Sequence, residues 1–203
     1  MMIPKNGHRA HGFSSDFFLD SNEIIDELDL NGSEIIMDAG CGDGHIAIKL
    51  LDEYIDSGTV YAVDVYDASI EDMEKYKLEN SVDNLINIEA DITQGISEID
   101  DGTFDVILTV NVFHGFNASR KIDEAISEFA RLIKNDGRIA IMDYKKWDVP
   151  KGPPTQVRNS PVELEEYFSN HGLKMTYLNE EIGEDIPEGK SHYFVVFEKE
   201  NIK

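Results

Sequence analysis

A glycine-rich turn that follows a buried strand constrains this chain more than any other feature. The run IIMDAGCGDG, Ile35–Gly44, leads from an apolar strand through three alternating glycines into a helical pattern. Glycine tolerates positive φ and lets a ligand touch the backbone, as a nucleotide-like molecule at the carboxyl end of a first strand requires. The turn therefore predicts a ligand site, and the alternative is a tight turn that binds nothing.

Short β-branched and apolar runs alternate with segments of helical period through most of the chain. This alternation is typical of βα units around a mostly parallel sheet. We therefore predict one domain, residues 1–203, with a Rossmann-like α/β fold: a seven-stranded, mostly parallel sheet with helices on both faces and an antiparallel last strand. The predicted strands are Glu34–Ala39, Thr59–Asp64, Leu85–Ala90, Phe104–Val110, Arg138–Asp143, Leu173–Leu178 and Ser191–Glu198.

A capping box and two apolar stripes locate helices between the strands. Ser160, followed by Pro161 and by Glu163 three positions on, predicts a helix that runs to about His171 and ends at Gly172. The stripes have helical spacing and should pack on the sheet. They consist of Ile46, Leu50 and Tyr54, and of Ile122, Ile126, Phe129 and Ile133.

Both ends of the chain depart from the alternation. Residues 1–30 should add a helix over the sheet, with Ile24, Ile25 and Leu28 buried, and this segment is a candidate lid. The stretch Asn179–Lys190 is Glu-rich, contains glycine and proline and lacks a helical period. It is expected to be a loop that joins the last two strands into an antiparallel hairpin.

The charge balance restricts the partners. The chain has 203 residues, with 41 Asp and Glu against 18 Lys and Arg, a formal net charge of −23. Such a polyanion repels nucleic acid and anionic membranes, so neither is an expected partner. Residues 1–100 hold 23 acids and 5 bases, whereas residues 101–203 hold 18 acids and 13 bases. Residues 145–158 reverse the sign, with Lys145, Lys146, Lys151 and Arg158 against Asp148.

Cys41 is the single cysteine, so an intrachain disulfide and a thiolate metal cluster within one chain are both excluded. Its expected role is packing in the glycine turn. The sequence contains neither an N-terminal signal-peptide pattern nor an apolar stretch long enough for a membrane span. We therefore expect a cytoplasmic protein without a membrane span.

The residues around the glycine turn distinguish between cofactors. A dinucleotide fingerprint needs a glycine where His45 stands, and Asp38 and Asp43 would repel a pyrophosphate. An NAD-dependent oxidoreductase is therefore the less favoured alternative. A cofactor with an amine or a sulfonium would be attracted to the same two acids.

Polar and apolar groups also stand at the ends of the next strands. Asp64, 20 residues after Gly44, can accept hydrogen bonds from both ribose hydroxyls, although a solvated strand-end acid is the simpler interpretation of that residue alone. After the third strand, Asp91 offers a carboxylate for an exocyclic amine and Ile92 an apolar surface for a flat base. Asn111 follows the fourth strand.

Together these motifs resemble class I S-adenosylmethionine (SAM)-dependent methyltransferases, whose first motif is an acid, any residue, then G-x-G-x-G. The strand Phe104–Leu108 and the turn before Arg138 are also similar to that family. The chain is most similar to a small-molecule branch, of the type 11 kind, that includes ubiquinone and menaquinone biosynthesis methyltransferases. The resemblance implies SAM as cofactor and transfer of its methyl group to a small molecule by in-line displacement; a non-catalytic SAM-binding module is the alternative.

The resemblance also implies where the cofactor binds. The methionine part would contact the glycine turn, the ribose the end of the second strand, the adenine the end of the third, and the amino acid end or the methyl group the end of the fourth. The implied residues are Asp38, Gly40, Cys41 and Gly42, then Asp64 and Val65, then Asp91 and Ile92, and Asn111.

Ligands of such sheets bind beyond the carboxyl ends of the parallel strands, and this places the acceptor site. The candidate catalytic residues on that rim are His114, Tyr144, Lys145 and His192, with Asp143, Lys146 and Tyr193 beside them and His8 and His11 in the candidate lid. A packing role is the simpler interpretation of the histidines that adjoin strands, and disorder is the simpler interpretation of His8 and His11. Their separations match no compact ligand motif, so no metal site is expected. The basic stretch at the rim suggests an anionic or electron-rich small substrate.

Overall fold

A computed structural model describes residues 19–147 and 151–200. His8, His11, most of the candidate lid and Asp148 lie outside the described residues. Seven strands form one sheet, as predicted, and their order in it is β3-β2-β1-β4-β5-β7-β6. The strands are β1 (Ile35–Ala39), β2 (Thr59–Asp64), β3 (Leu85–Glu89), β4 (Phe104–Val110), β5 (Ile133–Tyr144), β6 (Leu173–Ile186) and β7 (Gly189–Lys199).

The sheet is mostly parallel, and β7 is the strand that runs in the opposite direction. β1 to β5 run in the same direction, so their carboxyl ends meet at one edge. β7 is antiparallel to both of its neighbours, β5 and β6, which confirms the predicted antiparallel last strand. Because β7 runs the other way, its first residues lie at that same edge, where His192 pairs with Tyr144.

Helices cover both faces of the sheet, as predicted. On one face Phe113, Phe129 and Phe168 belong to one buried cluster, and on the other Ile24 and Met73 belong to a second. No helix in residues 19–147 and 151–200 is long and apolar enough to cross a membrane. The helices are α1 (Ser21–Asp26), α2 (His45–Lys49) with a following π-helical segment (Leu50–Tyr54), α3 (Asp67–Asn80), α4 (Phe113–Ser119), α5 (Ile122–Leu132) and α6 (Pro161–Ser169).

Local sequence signals located the helices well. The Ser160 side chain accepts a hydrogen bond from the Glu163 backbone, and the Glu163 carboxylate accepts one from the Ser160 backbone, so the capping box is confirmed. Gly172 follows α6 at a φ of 71°. The predicted buried residues of the N-terminal helix, Ile24, Ile25 and Leu28, are all buried.

The start of β5 differs from the prediction. The strand begins at Ile133 rather than at Arg138, because Phe104 pairs with Ile133 while Val106 pairs with Arg138. The intervening residues form a bulge where the sequence predicted a turn after the helix. Ile133 is buried as expected, but it belongs to the strand and not to the helical stripe.

The predicted loop Asn179–Lys190 is wrong. β6 continues to Ile186, β7 begins at Gly189, and only two residues join them. The pairing of β6 with β7 shifts register three times, and each shift breaks the two-residue alternation by which a strand is recognised in sequence. The acidic residues of β6 fit a sheet edge, where charge discourages pairing with another chain.

Candidate active site

The glycine turn between β1 and α2 leaves open space at one position only. Gly40, Gly42 and Gly44 all have positive φ. A Cβ on Gly40 would lie 2.5 Å from Cγ2 of Val112, and one on Gly44 would overlap Met73, so these two glycines serve close packing. A Cβ on Gly42 would meet no atom within 4 Å. The turn is therefore close-packed at its ends and open to a ligand at Gly42.

Asp38, near the carboxyl end of β1, is buried, and one of its two carboxylate oxygens lacks a hydrogen-bond partner among the described residues. Its side chain is 2% exposed, and its Oδ2 has no hydrogen-bond partner in the described structure. Burial raises the pKa of the carboxyl to about 7, with a smaller lowering from His45 and a further rise from Asp64. A buried carboxylate without a cationic partner is costly, so this position is complementary to a cationic ligand group.

Asp64 holds the glycine turn in place. Its Oδ2 accepts a hydrogen bond from the Gly42 backbone at 2.9 Å, and its Oδ1 accepts one from the Tyr66 backbone at 3.0 Å. Asp64 is buried, so the solvated strand end considered from the sequence is wrong. Each carboxylate oxygen has a second lone pair, which leaves capacity for ligand hydroxyls. Val65, the next residue, is exposed.

The end of β3 supplies a polar and an apolar group. Asp91 caps a short 3-10 turn, where its Oδ1 accepts hydrogen bonds from the backbone and the hydroxyl of Thr93. Ile92 is buried in the core beside it. Cys41 is buried as well, and burial raises the pKa of its thiol far above the usual value. A protonated, buried thiol suits the packing role expected from the sequence.

His114 and Asp143 form a hydrogen-bonded pair on the acceptor side, at the carboxyl ends of β4 and β5. The His114 Nδ1 lies 3.0 and 3.1 Å from the two Asp143 oxygens, and the His114 backbone donates to Oδ2 at 2.9 Å. Burial acts to raise the pKa of Asp143, but the imidazole and the backbone donors of His114 and Tyr144 hold it below its usual range. The carboxylate is therefore ionised and oriented.

His192 is enclosed in the protein. Its side chain is 0% exposed, and burial lowers its pKa to about 4, so the ring is neutral. Nε2 lies 3.1 Å from the Asn111 Oδ1, and Nδ1 lies 2.6 Å from the Ser191 hydroxyl. An amide oxygen only accepts, so Nε2 carries the proton and Ser191 donates to Nδ1. Tyr144 packs on the ring, with 4.1 Å between the centroids.

Asn111 stands between the glycine turn and the acceptor rim in a strained conformation. Its φ is 57°, a left-handed value that non-glycine residues seldom adopt. His192 holds its amide oxygen, while the amide nitrogen is buried and has no partner among the described residues. The sequence placed Asn111 and His192 at the same edge but gave no signal that they touch.

Most of the basic stretch is engaged within the protein. Lys146 pairs with Glu163 at 2.5 Å, and Lys151 pairs with Glu184 at 2.8 Å. Lys145 is buried with its Nζ 4.4 Å from the centre of the Trp147 ring. Lys146 and Lys151 therefore each have a carboxylate partner, whereas Lys145 has none among the described residues.

Arg158 is a structural residue that the sequence did not reveal. Its side chain is 1% exposed and lies 5.2 Å from the centre of the Tyr144 ring. The guanidinium donates hydrogen bonds to four backbone carbonyls of the rim loop, which fold that loop around it. The acceptors are the carbonyls of Lys145, Trp147, Lys151 and Pro153.

The structure thus brings the cofactor candidates and the acceptor candidates to one edge of the sheet. His114, Tyr144, Lys145 and His192 all belong to the rim, although among the described residues His114 is the rim histidine with an unengaged ring nitrogen. The pairing of His114 with Asp143 had one sequence signal, since both follow adjacent strands. Within residues 19–147 and 151–200, no three His, Cys, Asp or Glu side chains come together as a metal site.

Comparison with known proteins gives one family and one fold. A family model described as a methyltransferase domain matches residues 30–196. A SAM-dependent methyltransferase from Aquifex aeolicus superposes with a TM-score of 0.76 at 22% identity, over 92% of this chain and 93% of its own. A TehB-like SAM-dependent methyltransferase from Corynebacterium glutamicum gives 0.63 at 22% identity, over 89% and 87%. The [4+2]-cyclase SpnF gives 0.71 at 13% identity, over 88% and 79%. No curated protein matches the chain in sequence.

Proposed function

The chain belongs to the methyltransferase-domain family and is a SAM-dependent methyltransferase, and we propose that its methyl acceptor is a small molecule. Enzyme class and cofactor follow from the family. The similarity to the branch that includes ubiquinone and menaquinone biosynthesis methyltransferases supports a small acceptor. The net charge of −23 also argues against a nucleic-acid acceptor. The cyclase among the neighbours is a reminder that the fold does not specify the acceptor.

The unpartnered Oδ2 of Asp38 beside the open space at Gly42 is the observation that carries the cofactor assignment. We propose that Asp38 binds the amino group of SAM and that Asp64 binds the ribose hydroxyls. Asp91 would accept from the adenine amine, and Ile92 would pack on the ring. When bound, SAM supplies a methyl group activated by a sulfonium.

On the acceptor side, the rim aligns and partly shields the small molecule. In-line displacement needs alignment and the exclusion of water more than a strong acid. His114, Tyr144 and Lys145 would line the acceptor site, and His192 would support it through Asn111. Lys145 is the residue that would favour an anionic acceptor, because Lys146, Lys151 and Arg158 are engaged within the protein.

Calorimetry with SAM and with NADH tests the cofactor assignment. We expect micromolar binding of SAM and no binding of NADH. Asp64→Asn should weaken SAM binding about tenfold, because one acceptor oxygen is lost while the side-chain volume is kept. Asp101→Asn is the matched control, since that acid is exposed and precedes β4, at the edge of the sheet opposite the glycine turn. Wild-type protein that binds NADH but not SAM would exclude the proposed cofactor pose.

Formation of S-adenosylhomocysteine with a panel of small acceptors tests the reaction. Thiols, phenols, quinols and metalloids cover nucleophiles that need a base and nucleophiles that do not. Turnover of at least one of them supports a small-molecule acceptor. Binding of SAM without turnover across the panel would instead favour a SAM-binding module without catalysis.

A further inference from the structure

We propose that the His114–Asp143 pair acts as a general base, with His114 Nε2 taking a proton from the acceptor as it is methylated. The acceptor is then a protic nucleophile: a hydroxyl, a thiol or an ammonium that must lose a proton to react. This inference rests on the proposed function, because it assigns the chemistry of the acceptor site. It narrows the acceptor from small molecules in general to one chemical class.

Asp143 fixes both the position and the tautomer of His114. The carboxylate receives the backbone N–H of His114 at 2.9 Å and its ring Nδ1 at 3.0 Å, so residue and ring are held together. A carboxylate only accepts, so the proton of the neutral ring is on Nδ1 and Nε2 has a free lone pair. Nucleophilic and acid–base sites commonly orient a histidine with a carboxylate in this way.

A comparison with His192 argues against a purely structural role for His114. Both ring nitrogens of His192 are engaged, and none of its side chain is exposed. The His114 side chain is 18% exposed, and its Nε2 makes no hydrogen bond with the described residues. One rim histidine is therefore closed and supporting, and the other has an open nitrogen at the site.

The surrounding charges raise the pKa of His114 on balance. Burial lowers its pKa, Asp143 on β5 raises it more, and Arg158 opposes Asp143, with the net result above the usual 6.5. His192 faces the same rim from β7 but is uncharged, because burial lowers its pKa to about 4. Burial raises the pKa of Tyr144 to about 12, so the phenol stays protonated. Since Tyr144 stays protonated and His192 stays neutral, His114 with its open Nε2 is the rim group suited to accept the proton.

The proton and electron balance is simple. A lone pair of the acceptor, which an ammonium gains only after its proton has left, forms the bond to the methyl carbon. The electrons of the carbon–sulfur bond go to sulfur, which becomes a neutral thioether. The proton of the acceptor passes to His114 Nε2, and the resulting imidazolium is stabilised by Asp143. Only neutral His114 accepts a proton, so the rate with a protic acceptor should rise with pH to a plateau above the raised pKa of His114.

Turnover by His114→Gln with two matched acceptors tests the role. The acceptors are an unsubstituted phenol and a nitrophenol that is already ionised at the assay pH. We expect the variant to lose about 10²- to 10⁴-fold in rate with the phenol and its rising pH limb, but less than tenfold with the ionised nitrophenol. His171→Gln is the control, because His171 also pairs with an aspartate, at 3.2 Å, on the surface. It should behave as wild type.

A second measurement needs no turnover. Imidazole NMR should give a pKa for His114 above 6.5 in the wild type, and this signal should be missing in His114→Gln while the remaining histidines keep theirs. Asp143→Asn should lower the pKa of His114; if that variant does not fold, the titration of the wild type and the two-acceptor comparison still decide. Calorimetry should give equal SAM affinity for wild type and His114→Gln.

The outcomes separate the two proposals. Equal losses with both acceptors, or no loss with the phenol, would refute the general base. So would a wild type that binds SAM and methylates the ionised probes but no protic one. A wild type that does not bind SAM would instead overturn the proposed cofactor site, on which the general base depends.

Discussion

The glycine turn and the acceptor rim lie side by side at one edge of the sheet, but their charged side chains differ in whether they are neutralised within the protein. At the turn, Asp38 keeps a buried oxygen without a partner in the described structure. At the rim, Lys146 and Lys151 have acidic partners and Arg158 binds backbone carbonyls. The turn leaves a charge for the ligand to neutralise, whereas the rim uses its charges to build the loop. The formal charge of a segment is therefore a poor guide to what its site attracts.

The largest effect is expected when the Arg158 guanidinium, which binds the rim loop from within, is removed. Arg158→Met should lower the free energy of unfolding by about 4 kcal/mol, because four carbonyls lose their donor at a buried site. SAM affinity of the folded variant should stay within about twofold of wild type. Urea denaturation and calorimetry measure the two quantities. If the folded variant lost as much SAM-binding free energy as it loses stability, the glycine turn and the rim would not be independent.

Asp38→Asn tests the opposite side. The variant should lose about 3 kcal/mol of SAM binding, roughly 10²-fold in affinity, because the cationic amino group loses its counter-charge. Without ligand the same variant should be more stable than wild type at pH 8, by up to about 3 kcal/mol, since a buried unpaired charge is removed. Calorimetry and urea denaturation at pH 8 test this, and a destabilised variant would mean that the charge of Asp38 is compensated in the free protein.

The sign of the pH dependence follows from the raised pKa of Asp38. The native carboxyl binds its proton more tightly than the unfolded one, so the contribution of Asp38 to the stability of the free wild type should fall as pH rises from about 3.8 towards 7. SAM requires the carboxylate, so its affinity should weaken about tenfold per unit as pH falls below about 7. The difference in stability between wild type and Asp38→Asn should therefore show the Asp38 slope, and the variant should lose the pH dependence of SAM affinity. A flat affinity from pH 5 to 8 in the wild type would contradict the pairing of Asp38 with the amino group.

The smallest effect is expected at the surface of the rim. Lys151 is paired with Glu184, but its side chain is 68% exposed, so the pair should contribute less than about 1 kcal/mol. Lys151→Ala should therefore leave SAM affinity and phenol turnover close to wild type. A large loss of turnover in this variant would restore a direct role for the basic stretch in binding an anionic acceptor.

How far the sequence could go depended on how local each contact is. The glycine turn and the capping box of α6 each occupy a few consecutive residues, and both were predicted correctly. The four carbonyls that hold Arg158 depend on how a loop folds, and no local pattern encodes this. The hairpin of β6 and β7 was predicted, but the length of its strands was missed, because the bulges interrupt the alternation that identifies strands. Asp64 was placed correctly, but its burial depends on a turn that closes over it.

The position of β7 has a consequence for the order of assembly. β7 is the last strand of the chain, yet it lies between β5 and β6. Until Gly189–Lys199 has been synthesised, β6 has no neighbour in the sheet and β5 presents an open edge of unpaired backbone. His192 reaches Asn111 only when β7 is in place. The segments that build the glycine turn are synthesised early, whereas the acceptor side is completed only by the last strand. A chain truncated before β7 would therefore lack a complete acceptor side.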